Sequence, residues 1–243
     1  SGFLNENKEK LAGDMVLVSD TGSPSPEQLV VTTGLRGLTA LEVKVIGPKQ
    51  DLHSGVHGGP LLNPLQALAE ICASLHDSDG CVSIPGFYDA VQEPEEWERE
   101  ELKKMPLTES KYAEFLGVDH FHPPKGYSPL ESLRFAPTLE FNGMGGGYQG
   151  EGSKTVIPSE AFVKITCRLV PNQTADEITN LVKDAIESRC PPQVRVEVTV
   201  TGTREPILTR RLCSRKLSRQ QRIVSKKRLE LIPFTFERVA VSP

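Results

Sequence analysis

Hydrophobic and polar residues alternate along LTALEVKVIG (38–47): Leu41, Val43 and Val45 fall on one side, and Glu42 and Lys44 on the other. That is the period of a strand with one buried face. SEAFVKITCRLV (159–170) repeats it, setting Ala161, Val163, Ile165 and Cys167 against Phe162, Lys164, Thr166 and Arg168. PTLEFNG (137–143) reads as a strand, as does VRVEVTV, with Val194, Val196, Val198 and Val200 on one side. Between these runs the period becomes helical. Asn63 can cap and Pro64 can open a helix that carries Leu65, Leu68, Ala69, Cys72 and Leu75 on one face. Thr174 and Glu177 form a capping box ahead of Ile178, Leu181, Val182, Ala185 and Ile186.

The resulting order over 38–202, β-α-(insertion)-β-β-α-β, predicts an α+β fold of the split βαβ (ferredoxin-like) kind. It is a four-stranded antiparallel sheet with two helices on one face, which leaves a sheet face and an edge uncovered. A second copy of the chain, or a neighbouring domain, is the natural cover. The insertion, 76–135, reads as irregular apart from one polar helix near 93–104. Ahead of the sheet, MVLVSD (15–20) has the look of a buried strand that delivers Asp20 at its end, where α/β proteins place functional groups. The glycine-rich GMGGGYQGEGSK has no GK[ST] ending and no helix after it, so a phosphate-binding role is not supported.

Composition narrows the class. The chain has 243 residues, 37% hydrophobic and 25% charged, with mean hydropathy −0.29, as expected for a soluble globular protein. No apolar run approaches the ~20 residues of a membrane span, and SGFLNENKEKLAGD shows no secretory signal pattern. Five cysteines, at 72, 81, 167, 190 and 213, are odd in number with no CxxC pair, which favours a reducing cytoplasm over a disulfide framework. The formal charge of −4 hides a basic stretch: residues 204–228 hold ten of the 28 basic residues and a single acidic one, Glu205. With no interleaved aromatics to stack on bases, it reads as a solvated tail rather than a nucleic-acid interface.

Candidate chemistry gathers in DLHSGVHGG (51–59). His53 and His57 have the i, i+4 spacing of two zinc ligands on one helix, but Gly55, Gly58 and Gly59 disfavour a helix and no HExxH pattern is present. A single histidine on a turn after a strand is the better reading, with His53 favoured and its role, catalytic or structural, left open. His120 and His122 form a second histidine pair, in a Pro-rich loop. Asp20 suits a metal ligand or a turn cap. Arg168 suits a fork for a carboxylate or a surface ion pair. Thr155, in GSKTVIP, is a loop residue unless the fold brings it to a site.

VSDT, GLRGL, GPKQDLHSGVHGGPLLNP, SIPGFYDAV and GGYQGEGSKTVIPSEAFVKITCRLVPN, with the lengths between them, resemble the two-zinc metallopeptidase family of carnosinase, cytosolic non-specific dipeptidase, carboxypeptidase G, aminoacylase and succinyl-diaminopimelate desuccinylase. The resemblance covers about residues 3–202, and DLHSG, RLVPN and the IPGFYD insertion point to the dipeptidase branch. It implies that Asp20 ligates one of two zinc ions. It implies that His53 belongs to a lid, or dimerisation, domain and stabilises the oxyanion in the partner subunit's active site. It also implies that Thr155 contacts substrate and that Arg168 holds the substrate's terminal carboxylate. His57 matches no role.

The sequence lacks the family's HxD zinc motif, bridging aspartate, Glu-Glu pair and last zinc histidine. The resemblance ends near GTREP (202–206). The expected organisation is residues 1–34 as an edge of the zinc catalytic domain, 35–203 as the lid with its insertion, and 204–243 as a divergent basic tail. The parent enzyme is expected to be a cytoplasmic homodimer that hydrolyses dipeptides or small peptides with two Zn2+, Mn2+ being the alternative metal. The chain by itself is expected to hold no zinc tightly and to be inactive. No membrane or nucleic-acid partner is expected. The alternative reading is a non-catalytic dimerisation or interaction module with a basic tail.

Overall fold

A computed structural model describes residues 2–13 and 34–208. A short helix, α1 (Gly2–Glu6), is followed after the gap by β1 (Gly34–Leu35), β2 (Gly37–Ile46), β3 (Leu52–His53), α2 (Ser54–His57) and α3 (Pro64–Ser74). The insertion contributes α4 (Glu96–Lys103), α5 (Glu109–Leu116) and α6 (Pro129–Phe135). Then come β4 (Thr138–Gly146), β5 (Val156–Ile157), β6 (Glu160–Leu169), α7 (Ala175–Ser188), β7 (Arg195–Arg204) and β8 (Ile207–Leu208).

The expected α+β arrangement is present. Four antiparallel strands in the order β4-β6-β2-β7 form the sheet, and α3 and α7 pack on one face of it. The alternation seen in the sequence is the alternation of burial: Leu41, Val43 and Val45 on β2 and Ala161, Val163, Ile165 and Cys167 on β6 are all at most 1% exposed. Burial of each such aliphatic side chain is worth about 1.5–3 kcal/mol, so a one-residue slip of register, which would turn this whole set to the open face, is strongly disfavoured. Val196 and Val198 pack on the same core. Val200 is 46% exposed, beside the register shift between Ala40 and Leu41 where β2 meets β7.

Local signals start both long helices. Asn63 Oδ1 accepts the Leu65 N–H at 2.9 Å with Pro64 in the first turn of α3, and Thr174 Oγ1 accepts the Glu177 N–H at 3.3 Å ahead of α7. A buried hydroxyl chain ties α7 to the sheet: Thr39 and Thr179 meet at 2.6 Å, and Thr179 donates to the Ala175 carbonyl at 2.6 Å.

The insertion differs from the sequence expectation in two respects. It holds three helices rather than one. Its irregular opening also joins the core, which the expectation did not include: Val82, Ile84 and Phe87 are buried, and the Phe87 carbonyl accepts the Gln173 side-chain N–H at 2.8 Å. The helices α5 and α6 are short and were signalled only by their caps, Thr108 and the Ser128–Pro129–Glu131 box.

At one end of the sheet the chain enters and leaves through paired strands, Gly34↔Leu208 and Leu35↔Ile207. Gly37 is required there, because a Cβ at this position would lie 2.7 Å from the Pro206 ring. The Glu205 carboxylate accepts the Ala175 N–H with both oxygens at 3.1 Å, fixing this end to the start of α7.

Candidate functional site

The far end of the sheet carries the DLHSG turn. After β2 the Gly47 N–H bonds to the Ser159 carbonyl at 2.8 Å, and the chain turns back so that β3 pairs with β5, Leu52↔Ile157 and His53↔Val156. The Ser54 N–H donates to the Thr155 carbonyl at 3.1 Å. This brings together two residues 102 positions apart, with His53 Nε2 3.0 Å from Thr155 Oγ1, both exposed to solvent.

The hydrogen bonds assign the ring. His53 is the N-cap of α2, and its Nδ1 accepts the Gly55 N–H at 3.0 Å. A nitrogen that accepts carries no proton, so the neutral imidazole bears its hydrogen on Nε2, facing Thr155. The Nε2–H is therefore donated to Thr155 Oγ1, which leaves the threonine hydroxyl hydrogen at an exposed tip, and the two groups form a donor set suited to an oxygen that gains negative charge. The helix-ligand reading of His53 and His57 is not what the chain builds: His53 lies outside the helical turn, as its cap, and His57 is exposed in the last turn.

Asp51 completes this end. Its Oδ1 accepts both the Ser159 N–H at 2.8 Å and the Ser159 hydroxyl at 3.0 Å. These bonds, the backbone one foremost, hold the Asp51 carboxyl below its usual range. Asp51 stood at the front of the histidine motif in the sequence, but nothing there signalled its partner more than a hundred residues away.

Arg168 lies at the opposite end of the same strands. It is opposite Leu38 on β2 and Thr138 on β4, points away from the helices and is exposed. Among the described residues no carboxylate lies within ion-pair distance of it, so the surface ion-pair reading is not realised there. Beside it, Arg36 donates to the Leu133 and Ala136 carbonyls at 3.1 and 2.7 Å. Burial, and then the charge of Arg168, push the Arg36 pKa down to about 10, with Glu140 opposing, so it stays charged at neutral pH. Arg36 sat within the GLRGL motif, and a charged residue between glycines and leucines was the available hint. The structure thus joins His53 with Thr155 and separates both from Arg168. A cavity of about 280 Å³ lies between β4 and the insertion, lined by Arg36, Tyr88, Tyr112, His122 and Glu140 among others, and does not include the His53–Thr155 pair.

Asp20 lies outside the described residues, as does the tail from 209 onward. Among the described residues no three His, Cys, Asp or Glu side chains converge to hold a metal ion, so these residues do not form the zinc site that the resemblance implies. No described helix is long and apolar enough to cross a membrane.

The four-stranded antiparallel sheet with α3 and α7 on one face defines an α+β domain of the split βαβ kind. By both fold and sequence the chain belongs to the M20 peptidase family through its dimerisation domain: residues 33–194 match the family described as Peptidase dimerisation domain. It is 35% identical over 173 residues to the Cys-Gly metallodipeptidase of Schizosaccharomyces pombe, covering 71% of this chain and 36% of that protein. It is 31% identical over 175 residues to the Beta-Ala-His dipeptidase of Rattus norvegicus, covering 72% of this chain and 36% of the relative. Among solved structures, human carnosine dipeptidase 1 aligns with a TM-score of 0.73 at 25% identity, over 100% of this chain and 51% of that one. An M20 family metallo-carboxypeptidase from Sulfolobus solfataricus aligns with a TM-score of 0.73 at 31% identity, over 100% of this chain and 62% of the other. The chain spans about a third of the length of the curated relatives it matches.

Proposed function

We propose that residues 35–203 are the lid of a dimeric metallodipeptidase and that each lid serves two active sites, its own through Arg168 and its partner's through His53 and Thr155. One observation carries this reading. His53 and Thr155 are anchored at the Glu160 end of β6, whereas Arg168 lies eight residues further along that strand, about 26 Å at ~3.3 Å per residue. A dipeptide spans only about 7 Å. No single substrate can touch both groups of one chain, so if both act on one substrate, two chains must supply them.

In this reading the Arg168 fork takes the substrate's terminal carboxylate by two parallel hydrogen bonds and sets which peptide bond is presented. The oxygen of the scissile carbonyl replaces Thr155 Oγ1 as acceptor of the His53 Nε2–H and is stabilised as it becomes anionic, with the Thr155 hydroxyl as second donor. A metal bound in the parent enzyme, two zinc ions by family resemblance, would supply Lewis acidity and an activated water there; the described residues do not hold it. Asp20, in the 1–34 segment of catalytic domain, is the one residue of this chain we assign to that metal. The peptides named in the relatives, Cys-Gly and beta-Ala-His, are the first substrates to test. The odd number of cysteines, with Cys72, Cys81, Cys167 and Cys190 free among the described residues, fits a cytoplasmic setting.

Complementation between subunits is the test. Residues 34–208 are grafted in place of the corresponding lid of the Schizosaccharomyces pombe metallodipeptidase. The H53A graft is expected to lose about 10²–10³ in kcat with unchanged metal content, the cost of one oxyanion donor, and the R168M graft to lose turnover through a raised KM. Mixing the two is expected to restore about a quarter of the activity, because half of the dimers are mixed and one site in each is complete. No recovery on mixing, with mixed dimers present, would refute the shared site.

A further inference from the structure

We propose that Asp51 is a positioning residue, a latch that closes the strand carrying His53 onto the strand carrying Thr155 and so fixes the donor pair. This rests on the reading of His53 and Thr155 as the lid's contribution to the active site.

The need for a latch follows from how little else holds this tip. The β3–β5 ladder has only two residue pairs, and a two-stranded ladder of that length is not stable alone. Hydrophobic anchorage lies almost wholly on the Thr155 segment, in Ile157 at 3% exposed, the buried Pro158 and the half-buried Val156; the His53 segment offers only the half-buried Leu52, and Val56 beyond His53 is 70% exposed. The His53 ring is exposed, so packing does not select its position. Polar contacts therefore decide it, and they are arranged in order along the two segments. Asp51 Oδ1 grips Ser159 at one end with two bonds, the ladder follows, and the Ser54–Thr155 and His53–Thr155 bonds close the other end. Without the Asp51 grip the short ladder is free to lift, and Thr155 then leaves the Nε2–H. The Gly55–Nδ1 bond is local to the turn and does not depend on Asp51. Asp51 thus governs where the ring sits relative to Thr155 and leaves its tautomer alone.

The chain itself suffices for the test, which reads amide exchange and the His53 Nε2–H proton by NMR in the wild type, D51A, D51N and S159A. In D51A the Ser54 amide is expected to exchange at least about tenfold faster and the Nε2–H signal to broaden away, while amides of β2 and β6 stay protected. Asparagine keeps an oxygen at the same place, so D51N is expected to stay close to the wild type; S159A, which removes only the hydroxyl bond, is expected to fall between. Unchanged Ser54 exchange and a persistent Nε2–H in D51A overturn the latch. Equal behaviour of D51N and D51A overturns it too, since a charge effect rather than a grip would then be at work. If D51A does not fold, S159A decides: wild-type Ser54 exchange there overturns the proposal, and partial loss supports it. These readouts need no turnover. An open latch in D51A combined with full activity of the H53A graft would leave the latch standing and sink the functional reading instead.

Discussion

The Thr39–Thr179 pair offers a sharp test of how α7 is held to the sheet. Thr179 donates its hydrogen to the Ala175 carbonyl, so the hydrogen between the two hydroxyls comes from Thr39. Thr39 is 0% and Thr179 7% exposed, so neither can turn to water. T179V fills nearly the same volume but removes the acceptor and leaves a buried Thr39 O–H with no partner. An orphaned buried donor costs about 1–3 kcal/mol. T39V removes the donor instead. Thr179 keeps its bond to Ala175, and the loss is only an accepted bond, under about 1 kcal/mol and partly offset by the added methyl. The double variant removes both hydroxyls and should recover part of the T179V loss, giving a coupling of about 1 kcal/mol between two touching residues. Urea unfolding of the purified chain followed by circular dichroism measures all three, with constant slope as the check that only stability changed. T39V as damaging as T179V, or a double variant equal to the sum of the singles, would refute the assigned direction of the chain.

Two further outcomes follow from burial and charge. Burial pushes the Cys167 thiol up to about 12 and the Cys72 thiol up to about 11, so alkylation of the folded chain at pH 7 should spare both while the half-exposed Cys81 reacts; peptide mapping by mass spectrometry that finds Cys167 labelled as fast as Cys81 would contradict this. Asp51 is held below 3.8 by the Ser159 N–H, then its hydroxyl, with a small contribution from Lys154. Because the folded value is depressed, the added strength of the charged carboxylate is fully present above the ordinary aspartate range and is lost as pH falls through the folded value, while a carbonyl oxygen remains to accept from Ser159. The Ser159 amide shift should therefore titrate with a midpoint below 3.8, and a midpoint above it would reverse the sign.

The sheet was legible because burial on one face writes itself into the sequence as alternation: β2 and β6 each bury every second residue. The helices α3 and α7 were legible from Asn63–Pro64 and Thr174–Glu177, where cap chemistry agrees with apolar spacing. Helices of seven or eight residues such as α5 and α6 carry too few apolar positions for a period, and the core role of Phe87 depends on a contact with Gln173 that no local pattern encodes. The same limit applied to the site. His53 stood out by type and by its glycine neighbours, but its pairing with Thr155 is a long-range product of a two-pair ladder. The grip of Asp51 on Ser159 spans 108 residues and has no local sign at all. Arg168 was visible as a cation near a strand end on the face opposite the aliphatics, while its distance from His53 became apparent only once the strands were aligned.

The pairing of Gly34–Leu35 with Ile207–Leu208 has one more consequence. The polypeptide departs for some 170 residues and returns within one interstrand spacing, about 4.8 Å, of where it left. A unit suspended in this way from two adjoining cords is a natural cassette. It can be lifted out and the gap closed by a tight turn with little disturbance to either side, and it can be transplanted whole.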